Sequence, residues 1–369
     1  MTTVALSSNT AWYLFNFRAG LIRALLGRHF RVVIVAPQDE FSVRLAGMGC
    51  EVFDVRMDNM GSNPFFDART LLIYRALYQR IRPAVALHFT VKPVIYGTLA
   101  ARWAGVPCVS TVTGLGTAFL RDSWLTRVVE RLYRVSQTWP EKVFFQNPDD
   151  LDLFVGRRLV SRNKVERLPG SGIDLSRFAV SPTPGNDAPV FLLIARLLWD
   201  KGVGEFVEAA RRVKTRNPRT RFRLLGALGV ANRTAISRDQ VASWVQEGVV
   251  EYLGETDDVR PFIEAADCVV LPSYREGTPR TLLEAAAMGR PVITTDSVGC
   301  REVVENGVNG YLCQVKDAGD LADKMERFLA LPLDALADMG RKGREKMERE
   351  FDERLVIDRY LAVIGEILN

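Results

Sequence analysis

The chain has 369 residues, which predicts two domains of ordinary size, and its 47% hydrophobic and 25% charged residues are typical of a globular protein. Five cysteines without C-x-x-C spacing favour a reducing compartment and argue against a disulfide or zinc framework. The net charge of +5 is uneven, because residues 1–180 carry 23 Lys and Arg against 14 Asp and Glu, whereas residues 181–369 carry 26 against 30. A basic first half favours an anionic membrane surface or a diphosphate lipid as partner. We find no nucleic-acid-binding motif and expect no such partner.

Short apolar strands alternate with amphipathic helices along the first half. We predict strands at 4–6, 31–36, 51–55, 84–89 and 106–112, and helices at 15–26 and 67–82. This alternation predicts a doubly wound parallel sheet. The first residues enter a strand without a basic-then-apolar signal. The uncharged segment 103–120 contains Gly, Pro, Ser and Thr, so a buried strand and loop is favoured over a membrane span.

Two polar residues mark the end of the fourth strand, where open α/β sheets bind ligands. His88 ends the strand and Lys92 follows in the loop. A lone histidine is often structural, and Lys92 fits either a solvated loop or a phosphate site.

A glycine pair follows the fifth strand. Gly114-x-Gly116 is similar to part of the dinucleotide fingerprint, but Phe119 stands where the third glycine belongs and the downstream acidic residue is missing. We interpret the segment as a loop that lets backbone approach a ligand, and not as an NAD site.

The segment 124–135 predicts a helix with a basic stripe. Arg127, Arg131 and Arg134 are spaced for one face, and Arg121 precedes the helix. We expect the remaining apolar side chains to face the core, namely Trp124, Leu125, Val128, Leu132 and Val135. The stripe fits a solvated face or a membrane-binding surface.

The segment 181–189, SPTPGNDAP, predicts a linker. The second domain then opens with the strand 190–195. Arg196 ends this strand and Lys201 stands five residues on, so two cations at a carboxyl end are suited to a diphosphate.

The segment 267–295 contains the richest pattern. Cys268–Leu271 predicts a strand, and Thr278 as N-cap with Pro279 at the first position predicts a helix after it. Such a turn offers backbone N–H groups and a helix dipole to an anion. Glu276 and Glu284 flank the turn, and carboxylates accept the hydroxyls of a nucleotide sugar. An ordinary βαβ unit with two solvated carboxylates is the plainer alternative.

The segment SYREGTPRTLLEAAAMGRPVI contains Glu276 and Glu284 as an E-x7-E motif. This segment resembles family 4 of the retaining glycosyltransferases. HFTVKPVIYG and VTGLGTAF resemble the branch that extends undecaprenyl-diphosphate-linked sugars in protein N-glycosylation, O-antigen, capsule or exopolysaccharide assembly. The resemblance runs from about Phe15 to Phe351. It implies the GT-B fold, an α/β architecture of two Rossmann-like doubly wound domains facing each other across a cleft.

The resemblance implies an acceptor domain at 1–180, a donor domain at 187–351 and a final helix, 352–369, that crosses back to the first. Arg196 and Lys201 would hold the donor diphosphate, Glu276 the sugar and Glu284 the ribose, with His88 beside the sugar. The implied donor set is Arg196, Lys201, Glu276, Gly277, Thr278, Pro279, Arg280 and Glu284. The implied acceptor set is Asn16, Lys92, Thr113, Gly114 and Gly116. The implied membrane set is Arg121, Trp124, Arg127, Arg131 and Arg134.

The implied reaction moves a sugar, with its anomeric configuration retained, from a nucleotide sugar to an undecaprenyl-diphosphate-linked sugar at the cytoplasmic face of a bacterial inner membrane. UDP-N-acetylhexosamine is favoured as donor by the resemblance. The resemblance implies that neither metal nor cofactor is needed, and the chain shows no convincing D-x-D metal motif.

Four alternatives stay open. A GT-B nucleotide-sugar epimerase would act without an acceptor, and a transferase with a soluble acceptor would ignore lipid. A non-catalytic sugar-nucleotide-binding subunit would not need Glu276, Arg196 and Lys201. An NAD-dependent enzyme is disfavoured by the broken glycine fingerprint.

Overall fold

The computed structural model describes residues 1–58, 64–115, 124–230 and 232–369. The chain divides into two compact units. Unit 1 comprises Met1–Ser171 with Glu353–Asn369, and unit 2 comprises Gly172–Asp352. Each unit is built on a parallel sheet with helices on both faces, as the sequence predicts.

Unit 1 has a seven-stranded sheet in the order β3-β2-β1-β4-β5-β6-β7. The strands are β1 Thr3–Ser7, β2 Arg31–Ala36, β3 Glu51–Asp54, β4 Val85–Phe89, β5 Cys108–Val112, β6 Lys142–Phe145 and β7 Val165–Arg167. Both central pairings are parallel, with Val4 opposite Val32 on one side and Val85 on the other. The central strands read as continuous apolar runs because helices cover both faces.

The helices of unit 1 divide between the two faces of this sheet. They are α1 Ala11–Gly27, α2 Glu40–Gly47, α3 Pro64–Ile81, α4 Thr98–Ala104, α5 Trp124–Ser136, α6 Pro148–Gly156 and the last helix of the chain, α13 Glu353–Leu368. One core lies under α1, α2 and α13, and others lie under α3 with α4 and under α5 with α6. Tyr360 of α13 packs on Phe89 and Phe144, so the predicted return of the last helix to the first domain is confirmed.

Unit 2 has a six-stranded parallel sheet in the order β10-β9-β8-β11-β12-β13. Its strands are β8 Val190–Ile194, β9 Arg221–Leu225, β10 Glu251–Tyr252, β11 Cys268–Leu271, β12 Val292–Thr295 and β13 Gly310–Cys313. Its helices are α7 Val203–Arg216, α8 Arg238–Gln246, α9 Arg260–Glu264, α10 Arg280–Ala287, α11 Ala318–Leu329 and α12 Leu333–Lys346. Apolar cores fill both sides of the sheet.

The boundary between the units lies earlier than the predicted residue 180. Ile173 and Phe178 are buried in a core of unit 2, so residues 172–180 belong to that unit. The predicted linker is also tied down at its start. Arg290, whose side chain is fully buried, donates to Ser181 O at 2.9 Å and to Pro182 O at 2.7 Å. The composition of the segment indicates a linker, but this buried guanidinium fixes its first residues.

Replacing Arg290 should destabilise unit 2. Its guanidinium also donates to Ile263 O and Glu264 O, so Arg290→Met leaves several buried carbonyls without a donor. We expect a loss of about 3 kcal/mol, measured by thermal melting and by faster proteolytic cleavage within 181–189. Arg219→Met, at an exposed position of the same unit, should cost less than about 0.5 kcal/mol. Equal stability of the two variants would contradict this role.

Candidate functional site

The strand order of unit 2 reverses between β8 and β11, and ligands of open α/β sheets bind outside the carboxyl ends at such a point. Arg196 follows β8, and the loop 272–277 follows β11. The topology therefore brings the predicted cation and the predicted carboxylate loop to one place. Arg196 is exposed and has no side-chain partner among the described residues.

Two glycines allow the loop 272–277 to pack closely. Gly202 has φ of 72° and Gly299 has φ of 81°, which only glycine adopts without strain. A Cβ on Gly202 would overlap the carbonyl of Pro272, and one on Gly299 would overlap the carbonyl of Glu276. The sequence contains both glycines, but nothing in it indicates which backbone they approach.

Lys201 and Glu276 form an ion pair in this packed arrangement. Both side chains are mostly buried, with 20% and 15% exposed. The Glu276 backbone N–H donates to Val298 O at 2.9 Å, which fixes the carboxylate end of the loop. Two residues predicted to act on the donor thus lie together. A diphosphate would compete for Lys201, and sugar hydroxyls would compete for Glu276.

The helix after the loop, α10, begins one residue later than predicted. It starts at Arg280, Pro279 occupies the N-cap position, and no side chain caps the helix. Thr278 is therefore not the N-cap, and Gly277 and Thr278 belong to the loop. Thr281 Oγ1 donates to Ile194 O at 3.2 Å and fastens the first turn to β8. The positive end of this helix dipole points to the same edge of the sheet as Arg196.

Glu284 has a cation of its own within α10. Arg280 Nε donates to Glu284 Oε1 at 3.0 Å, and both side chains are largely buried. Burial raises the pKa of the Glu284 carboxyl, and the charge of Arg280 opposes that shift. The two carboxylates of E-x7-E are thus each paired with a different cation, Glu276 with Lys201 and Glu284 with Arg280.

Tyr274 of the loop 272–277 is bound to α7. Its hydroxyl donates to Glu205 Oε1 of α7 at 2.6 Å, and Lys316 Nζ lies 4.9 Å from its ring centroid. Its backbone N–H donates to Asp200 O at 3.0 Å. Tyr274 therefore ties the loop to α7 at one point, two residues from the point where Lys201 holds Glu276.

Unit 1 has its own reversal of strand order, between β1 and β4. Here the backbone N–H of Asn9 donates to Thr90 Oγ1 at 3.1 Å. Thr90 has φ of 65°, which is rare for a β-branched residue and marks a strained position. Nothing in the sequence marks Thr90, because threonine rarely adopts a left-handed φ and its residue type therefore gives no sign of one. Thr113 and Gly114 follow the neighbouring β5, and Gly116 lies outside the described residues.

Lys92 and Asn16, predicted to bind the acceptor, both have protein partners. Lys92 Nζ lies 2.5 Å from Asp67 Oδ1, and the Tyr96 hydroxyl donates to the other oxygen of Asp67 at 2.8 Å. Asn16 donates its side-chain amide to Trp12 O at 3.0 Å. Lys92 is therefore a half-buried cation whose charge Asp67 balances.

His88 does not reach a ligand position. Its ring is fully buried, Tyr78 contacts Nε2 at 2.8 Å and Thr98 contacts Nδ1 at 3.0 Å. Burial lowers the pKa of His88 to about 3. The strand pleat explains the difference, because His88 shares the face of Ala86 under α3 and α4. The predicted contact with the donor sugar is corrected to an internal hydrogen-bonding role.

The arginines of α5 are exposed as predicted, but three apolar residues that were predicted to face the core are exposed as well. Arg127, Arg131 and Arg134 all face solvent, and so do Trp124, Val128 and Val135. The core side consists instead of Thr126, Tyr133 and Ser136, with Val129 and Leu132 partly buried. Arg121 lies outside the described residues, and the Leu125 side chain is not among those described.

In the described part of the chain, no group of three or more His, Cys, Asp or Glu side chains lies close enough to hold a metal ion. No described helix combines the length and hydropathy of a membrane span.

Comparison with known proteins identifies both halves of the chain. Residues 188–330 match the model "Glycosyl transferases group 1", and residues 3–147 match the model "Glycosyl transferase 4-like". An N,N'-diacetylbacillosaminyl-diphospho-undecaprenol alpha-1,3-N-acetylgalactosaminyltransferase of Campylobacter jejuni is 28% identical and covers 96% of each chain. A UDP-Gal:alpha-D-GlcNAc-diphosphoundecaprenol alpha-1,3-galactosyltransferase of Escherichia coli is 27% identical, covering 71% of this chain and 70% of that one.

Solved structures agree on the fold. The Anabaena Alr3699/HepE structure in complex with UDP-glucose matches with a TM-score of 0.82 at 16% identity, covering 99% of this chain and 100% of that one. A Thermosynechococcus elongatus sucrose-phosphate synthase matches with a TM-score of 0.81 at 16% identity, covering 100% and 99%. The predicted GT-B class is confirmed.

The burial of His88 makes a pH-dependent contribution to stability that can be measured. Its folded pKa of about 3 lies below its ordinary 6.5, so between these values the unfolded chain binds more protons and stability falls as pH falls. From pH 8 to pH 5 this group should cost about 2 kcal/mol. In denaturant titrations at both pH values, His88→Gln should lose that part of the pH dependence. His29→Gln, at an exposed position, should retain it. If the parent, His88→Gln and His29→Gln all showed the same pH dependence of the free energy of unfolding, the result would contradict a buried, neutral His88.

Proposed function

Because the chain is a GT-B glycosyltransferase with a group 1 domain and a 4-like domain, we propose that it moves a sugar from a nucleotide sugar to an undecaprenyl-diphosphate-linked sugar. The observation that carries the proposal is the Lys201–Glu276 pair beside the unpartnered Arg196 at the strand reversal of unit 2. A nucleotide sugar has a diphosphate for the cations and hydroxyls for the carboxylate. The names of the Campylobacter and Escherichia relatives support an acceptor of this class.

The donor diphosphate binds Arg196, Lys201, the loop residues Gly277 and Thr278, and the N-terminus of α10 at Pro279 and Arg280. Once the diphosphate takes Lys201, Glu276 is released to accept hydroxyls of the sugar. Glu284 accepts the ribose hydroxyls, which a carboxylate does well in dinucleotide sites. For that contact, Glu284 needs only one oxygen, since Arg280 occupies the other.

The transfer proceeds with retention, on the same face of the sugar as the departing diphosphate. The acceptor hydroxyl attacks the anomeric carbon as the bond to the diphosphate breaks, and a diphosphate oxygen takes the hydroxyl proton. Arg196, Lys201 and the α10 dipole stabilise the departing charge. No step uses His88, because its ring is buried and neutral. Arg196 and Lys201 also supply the positive charge for which other transferases use a divalent metal. We therefore propose a reaction without metal or cofactor.

The donor is a UDP-N-acetylhexosamine. The names of two relatives support this, since one is an N-acetylgalactosaminyltransferase and the other uses UDP-Gal. Because Tyr274 is engaged with Glu205, it contributes no hydroxyl to sugar selection. Discrimination among sugars therefore depends on Glu276 and the backbone of the loop.

The acceptor binds at the strand reversal of unit 1, where Asn9, Thr90, Thr113 and Gly114 follow neighbouring strands. An undecaprenyl chain keeps this acceptor in a bilayer, so the enzyme works peripherally at the cytoplasmic face of the inner membrane. The exposed arginines and Trp124 of α5 support that location.

Nucleoside diphosphate release tests the reaction. We would assay UDP-, GDP- and dTDP-sugars with and without an undecaprenyl-diphosphate-linked sugar, with and without EDTA. We expect release from a UDP-N-acetylhexosamine, dependence on the lipid acceptor and no loss in EDTA. Glu276→Ala should reduce kcat/KM by at least about 100-fold, because sugar binding is lost and Lys201 is left unpaired.

Glu305→Ala is the matched control, since Glu305 is an exposed carboxylate of the same unit and should be neutral. Release that ignores the lipid would assign a soluble acceptor, and sugar interconversion without release would assign an epimerase. Sharp inhibition by EDTA would refute metal independence.

The Tyr274–Glu205 hydrogen bond should position Glu276 without touching the donor. Tyr274→Phe removes a hydrogen bond to a carboxylate, so we expect the KM for the nucleotide sugar to rise about tenfold. Inhibition by the free nucleoside diphosphate should change less than twofold, because the hydrogen bond that is removed involves none of Arg196, Lys201 and α10. Glu205→Gln keeps an accepting oxygen and should lie close to the parent. An equal loss of affinity for the nucleotide sugar and for the free nucleoside diphosphate would instead indicate a general structural defect.

A further inference from the structure

Arg18 of α1 is a buried cation of unit 1, and its side chain is 2% exposed. In the described part of the chain its guanidinium makes one hydrogen bond, which Nη2 donates to the Tyr13 hydroxyl at 3.1 Å. The Nε atom is buried and has no hydrogen-bond partner there. No carboxylate of the described residues pairs with Arg18, so its charge is removed from water without being neutralised.

Three aromatic rings surround this guanidinium in place of a carboxylate. Its central carbon lies 4.5 Å from the ring centroid of Phe89, 5.7 Å from that of Tyr360 and 5.8 Å from that of Tyr13. Cations are attracted to aromatic faces at such distances, and the attraction is stronger where water is excluded. The rings hold the guanidinium in place, but they carry no net negative charge, so its positive field extends beyond them.

Arg290 of unit 2 is equally buried, but its surroundings treat the charge differently. Its guanidinium donates to several backbone carbonyl oxygens, so Nε, Nη1 and Nη2 each have an acceptor. A buried charge that lacks such partners is costly, and apolar side chains in its place are often at least as stable. The charge of Arg18 therefore indicates a role other than packing.

The rings of Tyr13 and Phe89 join the guanidinium to two loops at the carboxyl edge of the sheet. Tyr13 lies in the first turn of α1, where its backbone N–H donates to Oγ1 of Thr10, the N-cap residue at the end of the loop after β1. Phe89 is the last residue of β4, and Thr90 follows it. Because the backbone N–H of Asn9 donates to Thr90 Oγ1, these two loops are also joined to each other.

Tyr360 joins the guanidinium to a third loop. Its hydroxyl lies 2.6 Å from Oγ1 of Thr111 on β5, and Thr113 follows two residues later. The strands β1, β4 and β5 are neighbours at the reversal of strand order. The charge of Arg18 therefore lies beneath the three loops to which the proposed function assigns the acceptor.

We propose that Arg18 gives unit 1 its preference for an acceptor that carries a diphosphate, because its charge attracts this anion to the three loops. Arg18 is a positioning residue, since its buried guanidinium acts through its field and not through contact with the ligand. A charge acts more strongly across the low dielectric of packed rings than across water. Arginine suits the position because its guanidinium is weakly hydrated and keeps its proton when buried. The proposal rests on the proposed function for the identity of the acceptor.

Two forms of one acceptor separate recognition of charge from recognition of sugar. The acceptor sugar that nucleoside diphosphate release identifies is supplied on a short, water-soluble prenyl diphosphate and as an uncharged octyl glycoside. The parent should have a KM at least about tenfold lower for the diphosphate form. Equal KM values for the two forms in the parent would overturn the proposal without the use of any variant.

Removal of the charge should abolish that preference. Arg18→Gln keeps a donor for the Tyr13 hydroxyl but has no charge, so the KM for the diphosphate form should rise at least about tenfold. The kcat, the KM for the octyl glycoside and the KM for the nucleotide sugar should each change less than about threefold. Arg18→Lys keeps the charge and should retain most of the preference.

Arg290→Met is the matched control, because it removes a buried guanidinium of unit 2 and destabilises the chain. Thermal melting measures the loss of stability in both variants, and Arg290→Met should leave the ratio of the two acceptor KM values unchanged. An equal rise of both acceptor KM values in Arg18→Gln would indicate a structural role alone. A rise confined to the KM for the nucleotide sugar would assign the charge to the donor. Either result would overturn the proposal.

Binding of geranyl diphosphate distinguishes failure of this proposal from failure of the proposed function. Calorimetry with saturating UDP, which fills the donor site, should give a Kd that rises at least about tenfold in Arg18→Gln. A parent that transfers sugar to both acceptor forms alike would keep the proposed function and overturn the role of Arg18. A parent that binds geranyl diphosphate in this Arg18-dependent way, but releases no nucleoside diphosphate, would support the role and overturn the proposed function.

Discussion

The ion pair between Lys201 and Glu276 is the interaction on which the donor half of this molecule depends. It exists because Gly202 and Gly299 let two backbone segments approach the loop 272–277 more closely than any side chain would permit. The pair holds the side chains of Lys201 and Glu276 in contact at a mostly buried site before any ligand arrives. Each partner is then released for a different part of the same ligand, the cation for the diphosphate and the carboxylate for the sugar. A donor that lacked either part would leave one buried charge without a partner, which is costly.

The loop keeps its position by other means when the pair separates. Tyr274 is bound to Glu205, the Glu276 backbone is bound to Val298, and Thr281 fastens the following helix to β8. Unit 1 uses backbone strain for a related purpose, since Thr90 adopts a left-handed conformation that brings its hydroxyl to the loop after β1. In both units, the edge of the sheet that binds ligands consists of short loops that the strands hold in place. Pre-organisation of this kind lowers the free-energy cost of binding.

The sequence was sufficient for the fold and for the donor loop, and the reasons are physical. Apolar runs alternating with helices specify a parallel sheet, and the donor residues follow the carboxyl ends of β8 and β11, where such a sheet binds its ligand. The directions in which side chains point, and their partners far away in the sequence, could not be predicted from the sequence. His88 ends a strand as predicted, but the pleat turns its ring under α3 and α4. Tyr274 lies in the expected loop, but its partner is 69 residues away. Val128 and Val135 are apolar and yet face outward, because the core side of α5 is set by its neighbours. The unit boundary was misplaced because Ile173 and Phe178 are buried in a core of unit 2, and the predicted linker is fixed at its start by the buried Arg290.

A structure of the chain with a bound UDP-N-acetylhexosamine would test the central claim most directly, through the distances from Lys201 Nζ and Glu276 to the ligand. The account predicts a separated ion pair, with Lys201 and Arg196 on the diphosphate, Glu276 on sugar hydroxyls and the Tyr274–Glu205 hydrogen bond unchanged. An intact Lys201–Glu276 pair, with the nucleotide sugar bound elsewhere, would contradict it.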